Sequence, residues 1–330
     1  MVRVLEQLKP GSTATVEIKP SHSPSALLLA PVLRQVTWLI RRFEGRPEAG
    51  LPRIAYLSDF YLGLMQPAPS GTQLTPVPFD GFDAELVRAP RATGEGVVLY
   101  FHGGAFFCCG LRSHRRMVAR ISAACGMPVL NVGYRQLPTA TLTQSVQDCL
   151  DAYRMLLDSG YSSDQVVFAG DSAGGYLAFA VALRAVAEGL PAPAGITAIA
   201  PWVDLECQFS LGHPNGLTDP YLPIRQIRRL IPLLYGGPTS PVASLLDVDL
   251  SALPPTLIQV GSVEALLSDA ELMTDRLARD RVPVTLQIWQ RQVHVFQAFA
   301  DLVPEGHAAI REIGAFVRGV ITPAEKEAAA

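Results

Sequence analysis

The chain has 330 residues, 49% of them hydrophobic and only 17% charged, with a net charge of −3. That balance excludes a disordered chain, and the lack of a concentrated basic surface argues against a nucleic-acid partner. A chain this long buries roughly three quarters of its unfolded surface without help from disulfides or metal. Its five cysteines, odd in number and without a CxxC pair, exclude a disulfide scaffold and a zinc site and fit a reducing compartment.

Residues 1–75 are rich in proline and hold one strong helical pattern, over 26–43. Leu28, Val32, Val36, Leu39 and Phe43 recur there at helical spacing, with Arg34, Arg41 and Arg42 as polar residues. The plain reading is a helix packed on the body of the protein; the alternative is a basic amphipathic helix lying on a membrane surface. Pro31, Arg34 and Gln35 interrupt the stretch 26–40, which begins too late for a signal sequence. No run of 18 apolar residues follows, so no transmembrane segment is expected, and the cytoplasm is the expected location.

From Thr75 the pattern changes. A hairpin strand is expected over 79–87, then a continuous apolar run at 96–101 (GVVLYF), a helix near 113–125, a strand at 128–134 and a helix over 143–157. A further run at 165–170 (QVVFAG) leads into a helix over 173–188. Runs at 196–200, 256–260 and 284–289 follow, with helices over 267–280 and 308–317. Short apolar runs alternating with helices mean a mostly parallel sheet with helices on both faces. Residues 203–253 break the rhythm with prolines, glycines and one helix near 224–235, too long a stretch for an ordinary loop, and read as an insertion.

Two motifs carry chemistry. Gly170-Asp171-Ser172-Ala173-Gly174 fits G-x-S-x-G, directly after one apolar run and opening an apolar helix. Small flanking residues let such a turn project the serine oxygen above the sheet. His102-Gly103-Gly104-Ala105, at the end of GVVLYF, would aim backbone N–H groups at the oxygen of a tetrahedral intermediate.

Together with Tyr134-Arg135-Gln136-Leu137-Pro138 and Pro201-Trp202-Val203-Asp204, these motifs resemble the bacterial hormone-sensitive lipase family (family IV) of α/β-hydrolase carboxylesterases, over roughly residues 97–317. The resemblance implies a serine carboxylesterase with a Ser-His-Asp/Glu triad and a cap built from the N-terminal region and an insertion after the sixth strand. It divides the chain into an N-terminal cap segment (1–75), a catalytic domain (76–202 and 254–330) and a cap insertion (203–253). It makes Ser172 the nucleophile. Gly104, Ala105 and Ala173, with Gly103 as a further candidate, would supply oxyanion donors. Ala105 stands where the family usually has a third glycine; its N–H survives, while its methyl narrows the acyl site.

The fold's chain order is serine, acid, histidine. His22, His102, His114 and His213 precede any late acid, and His307 opens the last helix, which leaves His294 as the base; it also matches the family's late histidine. The family places the acid after the strand at 256–260, commonly as an aspartate directly in the turn. Here no aspartate stands there. Glu264 is the first carboxylate past the strand and is favoured; Asp269, at a helix start that welcomes acids, is the alternative.

Phe106, Phe107, Trp202 and Phe296 are candidate walls of an acyl pocket, and core packing accounts for them equally well. Asp171 reads as a hydrogen-bonding support, Arg135 and Asp204 as buried structural polar residues, and Cys108 and Cys109 as small apolar ones. The expected substrate is a small-molecule ester with a short to medium acyl chain, and no cofactor or metal is expected. An amidase or carbamate hydrolase with the same triad, a membrane-associated lipase and a catalytically dead ligand receptor are the rival readings. A peripheral membrane contact and a homodimer both stay open.

Overall fold

The structure, a computed structural model, describes residues 12–42, 51–236 and 244–321. In chain order it begins with β1 (Ala14–Lys19), α1 (Pro24–Arg42), α2 (Leu51–Met65), β2 (Gln73–Pro78), β3 (Asp83–Arg88) and β4 (Val97–Phe101). Then come α3 (Leu111–Cys125), β5 (Val129–Gly133), α4 (Leu142–Asp158), β6 (Val166–Asp171), α5 (Ala173–Ala187) and β7 (Gly195–Ile199). Four short helices follow: α6 (Gln208–Gly212), α7 (Pro214–Thr218), α8 (Ile224–Arg228) and α9 (Ile231–Tyr235). The chain closes with β8 (Thr256–Gly261), α10 (Leu267–Arg279), β9 (Val284–Trp289) and α11 (Pro304–Val320).

Among the described residues the strands form one sheet of nine, ordered β1-β9-β8-β7-β6-β4-β5-β3-β2. Only the β5–β3 and β3–β2 pairings are antiparallel. β4, β6, β7 and β8 are buried along their whole length, because helices cover both faces. Parallel strands send their C-terminal ends to one edge, so the loops leaving β4, β6, β7, β8 and β9 gather there.

Three expectations change. The helix expected over 224–235 is split in two: Pro232 has no N–H and starts α9 afresh. Residues 14–19, read as part of a cap segment, are a sheet strand. β1 lies parallel to β9 at the edge, and the turn after it is held by Glu305, which accepts from Ser21 Oγ at 2.9 Å and Ser23 Oγ at 2.7 Å. The first helix buries a different face from the expected one. Ala26, Leu29 and Leu33 pack on Trp289, Val293 and Phe296, while Leu28 and Val32 are 65% and 59% exposed. Phe43 and the side chains of Val36, Leu39, Arg41 and Arg42 lie outside the described residues. No helix among the described residues is long and apolar enough to cross a membrane.

Candidate active site

Ser172 stands between β6 and α5 with φ 54° and ψ −116°, a strained conformation that a serine keeps only when its surroundings enforce it. They do: Ser172 N–H donates to the Ile199 carbonyl at 2.8 Å, and Trp202 N–H donates to the Ser172 carbonyl at 3.0 Å. The turn is also packed too tightly for any Cβ at Gly174, where one would come within 1.8 Å of the Phe101 carbonyl oxygen. β4 and β6 therefore run side by side into the same edge, and the loop leaving β4, the candidate oxyanion loop, begins beside the serine.

That loop departs from ordinary backbone geometry. Gly104 has φ 117°, and a Cβ on it would meet the Cys108 carbonyl at 1.9 Å, so only glycine fits. Ala105, Phe106 and Cys109 all lie at positive φ (51°, 62° and 64°). The Gly104 carbonyl accepts from Phe107 N–H and Cys108 N–H, both at 3.0 Å. Because the peptide is trans and planar, the N–H of Ala105 points the opposite way from that carbonyl, out of the turn. The N–H of Gly103 is already taken: it donates to Asp171 Oδ1 at 3.0 Å. Gly103 therefore drops out as a candidate oxyanion donor, and Gly104, Ala105 and Ala173 remain as candidates.

Asp171 is the centre of a buried network that the sequence reading credited only in part. Tyr100 OH donates to its Oδ1 at 2.6 Å, and His114 Nε2 lies 3.3 and 3.4 Å from its two oxygens. Burial opposes a charge on His114, but Asp171 outweighs it and lifts the imidazolium to about 9. In turn burial would raise Asp171, and His114 with Tyr100 keeps it below the usual carboxylate range. His102, equally buried, is pushed down to about 4 by that burial and then by the neighbouring His114. His114, set aside on chain order as a base, thus pairs with the carboxylate that holds the Gly103 N–H at the end of β4.

At the other strands, Glu264 and His294 meet. Ser262 N–H donates to the Trp289 carbonyl at 2.9 Å, and Arg291 N–H to Ser262 Oγ at 2.8 Å, so the loops leaving β8 and β9 are laced together. His294 Nδ1 lies 2.6 Å from Glu264 Oε2, while Glu264 Oε1 accepts Gly261 N–H at 2.7 Å. Glu264 is wholly buried, which raises its pKa against the pull of His294; burial lowers and the Glu264 charge more than restores His294, which ends above its ordinary value. The insertion fastens this acid turn. Asn215 Nδ2 donates to the Ser262 and Glu264 carbonyls at 3.0 and 2.9 Å, and Asp219 Oδ2 accepts Ala265 N–H at 2.6 Å. Neither residue was singled out from the sequence; the one signal was the Asp-Pro turn at 219–220.

Asp269 is elsewhere. It is fully buried in the first turn of α10, with Oδ1 accepting Val203 N–H at 3.0 Å and Asp204 N–H at 2.8 Å. Burial raises it to about 8. It ties the start of the insertion to α10 and makes no hydrogen bond to His294. Asp204 is buried and accepts Phe209 N–H at 2.8 Å. Arg135 is a correction: its side chain is 38% exposed, paired at 2.6 Å with the buried Asp148.

Of the four acyl-pocket candidates, Phe106 exposes nothing and packs among Tyr134, Tyr176 and Trp202. Trp202 is buried with its Nε1–H on the Asp204 carbonyl at 2.9 Å, and Phe296 is buried against Trp289. These three are core residues here. Phe107 alone is half-buried. Among the described residues no group of three or more His, Cys, Asp or Glu side chains could hold a metal ion.

A family model described as the alpha/beta hydrolase fold matches residues 98–298. The carboxylesterase/phospholipase LipF of Mycobacterium tuberculosis is 38% identical over 317 residues, which cover 92% of this chain and 84% of that protein. An acetyl-hydrolase of Streptomyces hygroscopicus is 38% identical over 71% of this chain and 79% of its own. The crystal structure of an esterase from the bacterial hormone-sensitive lipase family has a TM-score of 0.82 at 34% identity, covering 92% of this chain and all of the other.

Proposed function

The chain belongs to the alpha/beta-hydrolase family, among the hormone-sensitive lipase relatives, and is a carboxylic ester hydrolase; from that premise we propose that Ser172, His294 and Glu264 are its catalytic triad. His294 Nε2 takes the proton of Ser172 as Oγ attacks the ester carbonyl. Glu264 holds the other ring nitrogen protonated and balances the imidazolium. The N–H groups of Gly104, Ala105 and Ala173 receive the oxyanion, and His294 returns the proton to the leaving alcohol. Water repeats the cycle on the acyl-enzyme. The observation that carries this reading is the 2.6 Å contact between His294 Nδ1 and Glu264, on the sheet edge where the serine elbow also opens.

The substrate we infer is a small ester with a short to medium acyl chain. Phe107 is the half-buried aromatic of the oxyanion loop. Helices α1 and α2 and the short helices α6–α9 form the cap, and β1 belongs to the catalytic sheet. Five free thiols, three of them buried, favour the cytoplasm. One observation favours lipid substrates instead: Tyr56, Tyr61, Leu64 and Met65 stand exposed along α2. An aryl-ester panel from two to sixteen carbons separates the readings. Wild type should prefer the short end with no rate jump above the micellar threshold. Ser172→Ala should lose about 10⁴-fold or more of kcat and all fluorophosphonate labelling. Faster turnover of the sixteen-carbon ester would favour the lipase, and labelling of the variant at another serine would overturn the nucleophile.

A further inference from the structure

Two thiols that the ester hydrolysis does not use stand on the oxyanion loop itself. Cys108 and Cys109 are adjacent, both half-buried, with their sulfurs 4.0 Å apart. The other three cysteines are buried in the core. The pair forms a short donor chain: Cys109 Sγ–H points to Cys108 Sγ, and Cys108 Sγ–H donates to the Gly104 carbonyl at 3.2 Å. That carbonyl is the back side of the peptide whose N–H belongs to Ala105. Three donors thus converge on one oxygen, the N–H groups of Phe107 and Cys108 and the Cys108 thiol, and together they fix the direction of one oxyanion donor.

The loop has little slack to absorb a change at Cys108. The Cys108 carbonyl is so close to Gly104 that not even a Cβ fits between them. Ala105, Phe106 and Cys109 are held at positive φ, a conformation that relaxes when its restraints go. Cys109 N–H donates to Ser58 Oγ of α2 at 2.9 Å, and the Cys109 carbonyl accepts Gln136 Nε2 at 3.2 Å, so the far end of the loop is pinned as well.

We propose that Cys108 and Cys109 form a dithiol site for thiophilic trivalent ligands such as organic arsenicals, and that occupying it switches ester hydrolysis off. With an aryl arsenoxide, two As–S bonds form and the arsenic–oxygen bonds break. The two thiol protons leave with that oxygen as water, and no electrons are transferred. Bridging both sulfurs to one atom removes the Cys108 thiol from the Gly104 carbonyl and turns the peptide that aims the Ala105 N–H.

This proposal rests on the triad and oxyanion reading, and the test separates the two. Phenylarsine oxide is added at one equivalent to the full chain, with intact mass, esterase rate and fluorophosphonate labelling of Ser172 as readouts. The expected result is one adduct per chain and a rate loss of about a hundredfold, the scale of a lost oxyanion donor. Dimercaptopropanol restores the rate, and a matched concentration of a monothiol does not. Cys108→Ser and Cys109→Ser each keep their own untreated rate in the presence of the reagent, because one thiol cannot bridge. A variant with Cys125, Cys149 and Cys207 replaced by serine stays sensitive; should it lose its fold, the two single variants still decide. No adduct, an adduct without loss of rate, or inhibition that persists in Cys108→Ser/Cys109→Ser would overturn the proposal. Untreated wild type that hydrolyses ester but takes no fluorophosphonate at Ser172 would instead overturn the serine reading.

Discussion

Glu264→Gln tests the acid through the arrangement of hydrogen bonds around it. In wild type Oε1 accepts the Gly261 N–H at 2.7 Å, and Oε2 faces His294 Nδ1 at 2.6 Å. A glutamine at this buried site has one oxygen and one NH₂ to distribute. Gly261 can only donate, so the amide oxygen goes to it and the NH₂ is left facing His294. That forces Nδ1 to accept and moves the ring proton to Nε2, the nitrogen that must take the serine proton. The wrong tautomer and the lost charge together should lower kcat by about two to four orders of magnitude, with KM nearly unchanged. The pH profile adds a second reading. Burial alone lowers His294, and Glu264 lifts it above 6.5. Activity needs the neutral ring, so the acid limb of kcat/KM in wild type should have its midpoint above 6.5; in the variant, with only the more distant Asp219 and Asp171 charges left to oppose burial, it should move to lower pH. Stopped aryl-ester assays across pH 5 to 9 measure both. Residual kcat within about tenfold of wild type, or an unmoved acid limb, would refute the assignment of Glu264.

Other consequences follow from the two buried carboxylates that flank the site. Asp269→Asn should keep kcat within about tenfold, since the amide oxygen still accepts from Val203 and Asp204; Asp269→Ala leaves those two buried N–H groups unpaired and should cost about 1–3 kcal/mol for each in chemical denaturation. Asp269 is lifted to about 8 in the fold from an ordinary 3.8. Its contribution to stability is therefore full below pH 4 and is lost as pH rises through 8, a slope that thermal melts should show in wild type and not in Asp269→Asn. Asp171→Asn should retain the Gly103 and Tyr100 hydrogen bonds but let burial pull His114 down from about 9. The stabilisation that His114 gives wild type, full below pH 6.5 and lost as pH climbs through 9, should be missing from its melts. A wild-type His114 imidazole titrating near 6.5 by NMR would contradict the His114–Asp171 pairing.

Features that depend on neighbours along the chain could be read from the residues alone. Apolar runs such as VVLYF and VVFAG, alternating with helical patterns, read as strands covered on both faces, and GDSAG after such a run reads as a sharp strand-to-helix turn, so β4, β6, α5 and the placing of Ser172 were legible. Chain order and elimination left His294, because the parallel sheet sends successive strand ends to the same edge. Tertiary structure decided everything that depends on which atoms meet across that edge. Glu264 and Asp269, five residues apart, are both buried acids; only the lacing of the β8 and β9 loops puts one on His294 and the other on the backbone of residues 203 and 204. Gly103 reads as an oxyanion donor until Asp171 takes its N–H. Periodicity set the amphipathic face of α1 one residue off, because the partner that selects Leu29 and Leu33 over Leu28 and Val32 is β9 and the loop after it, some 260 residues away. β1 was hidden for the same reason: an edge strand half exposed to water has a mixed pattern, and what makes it a strand is the open edge of β9 beside it.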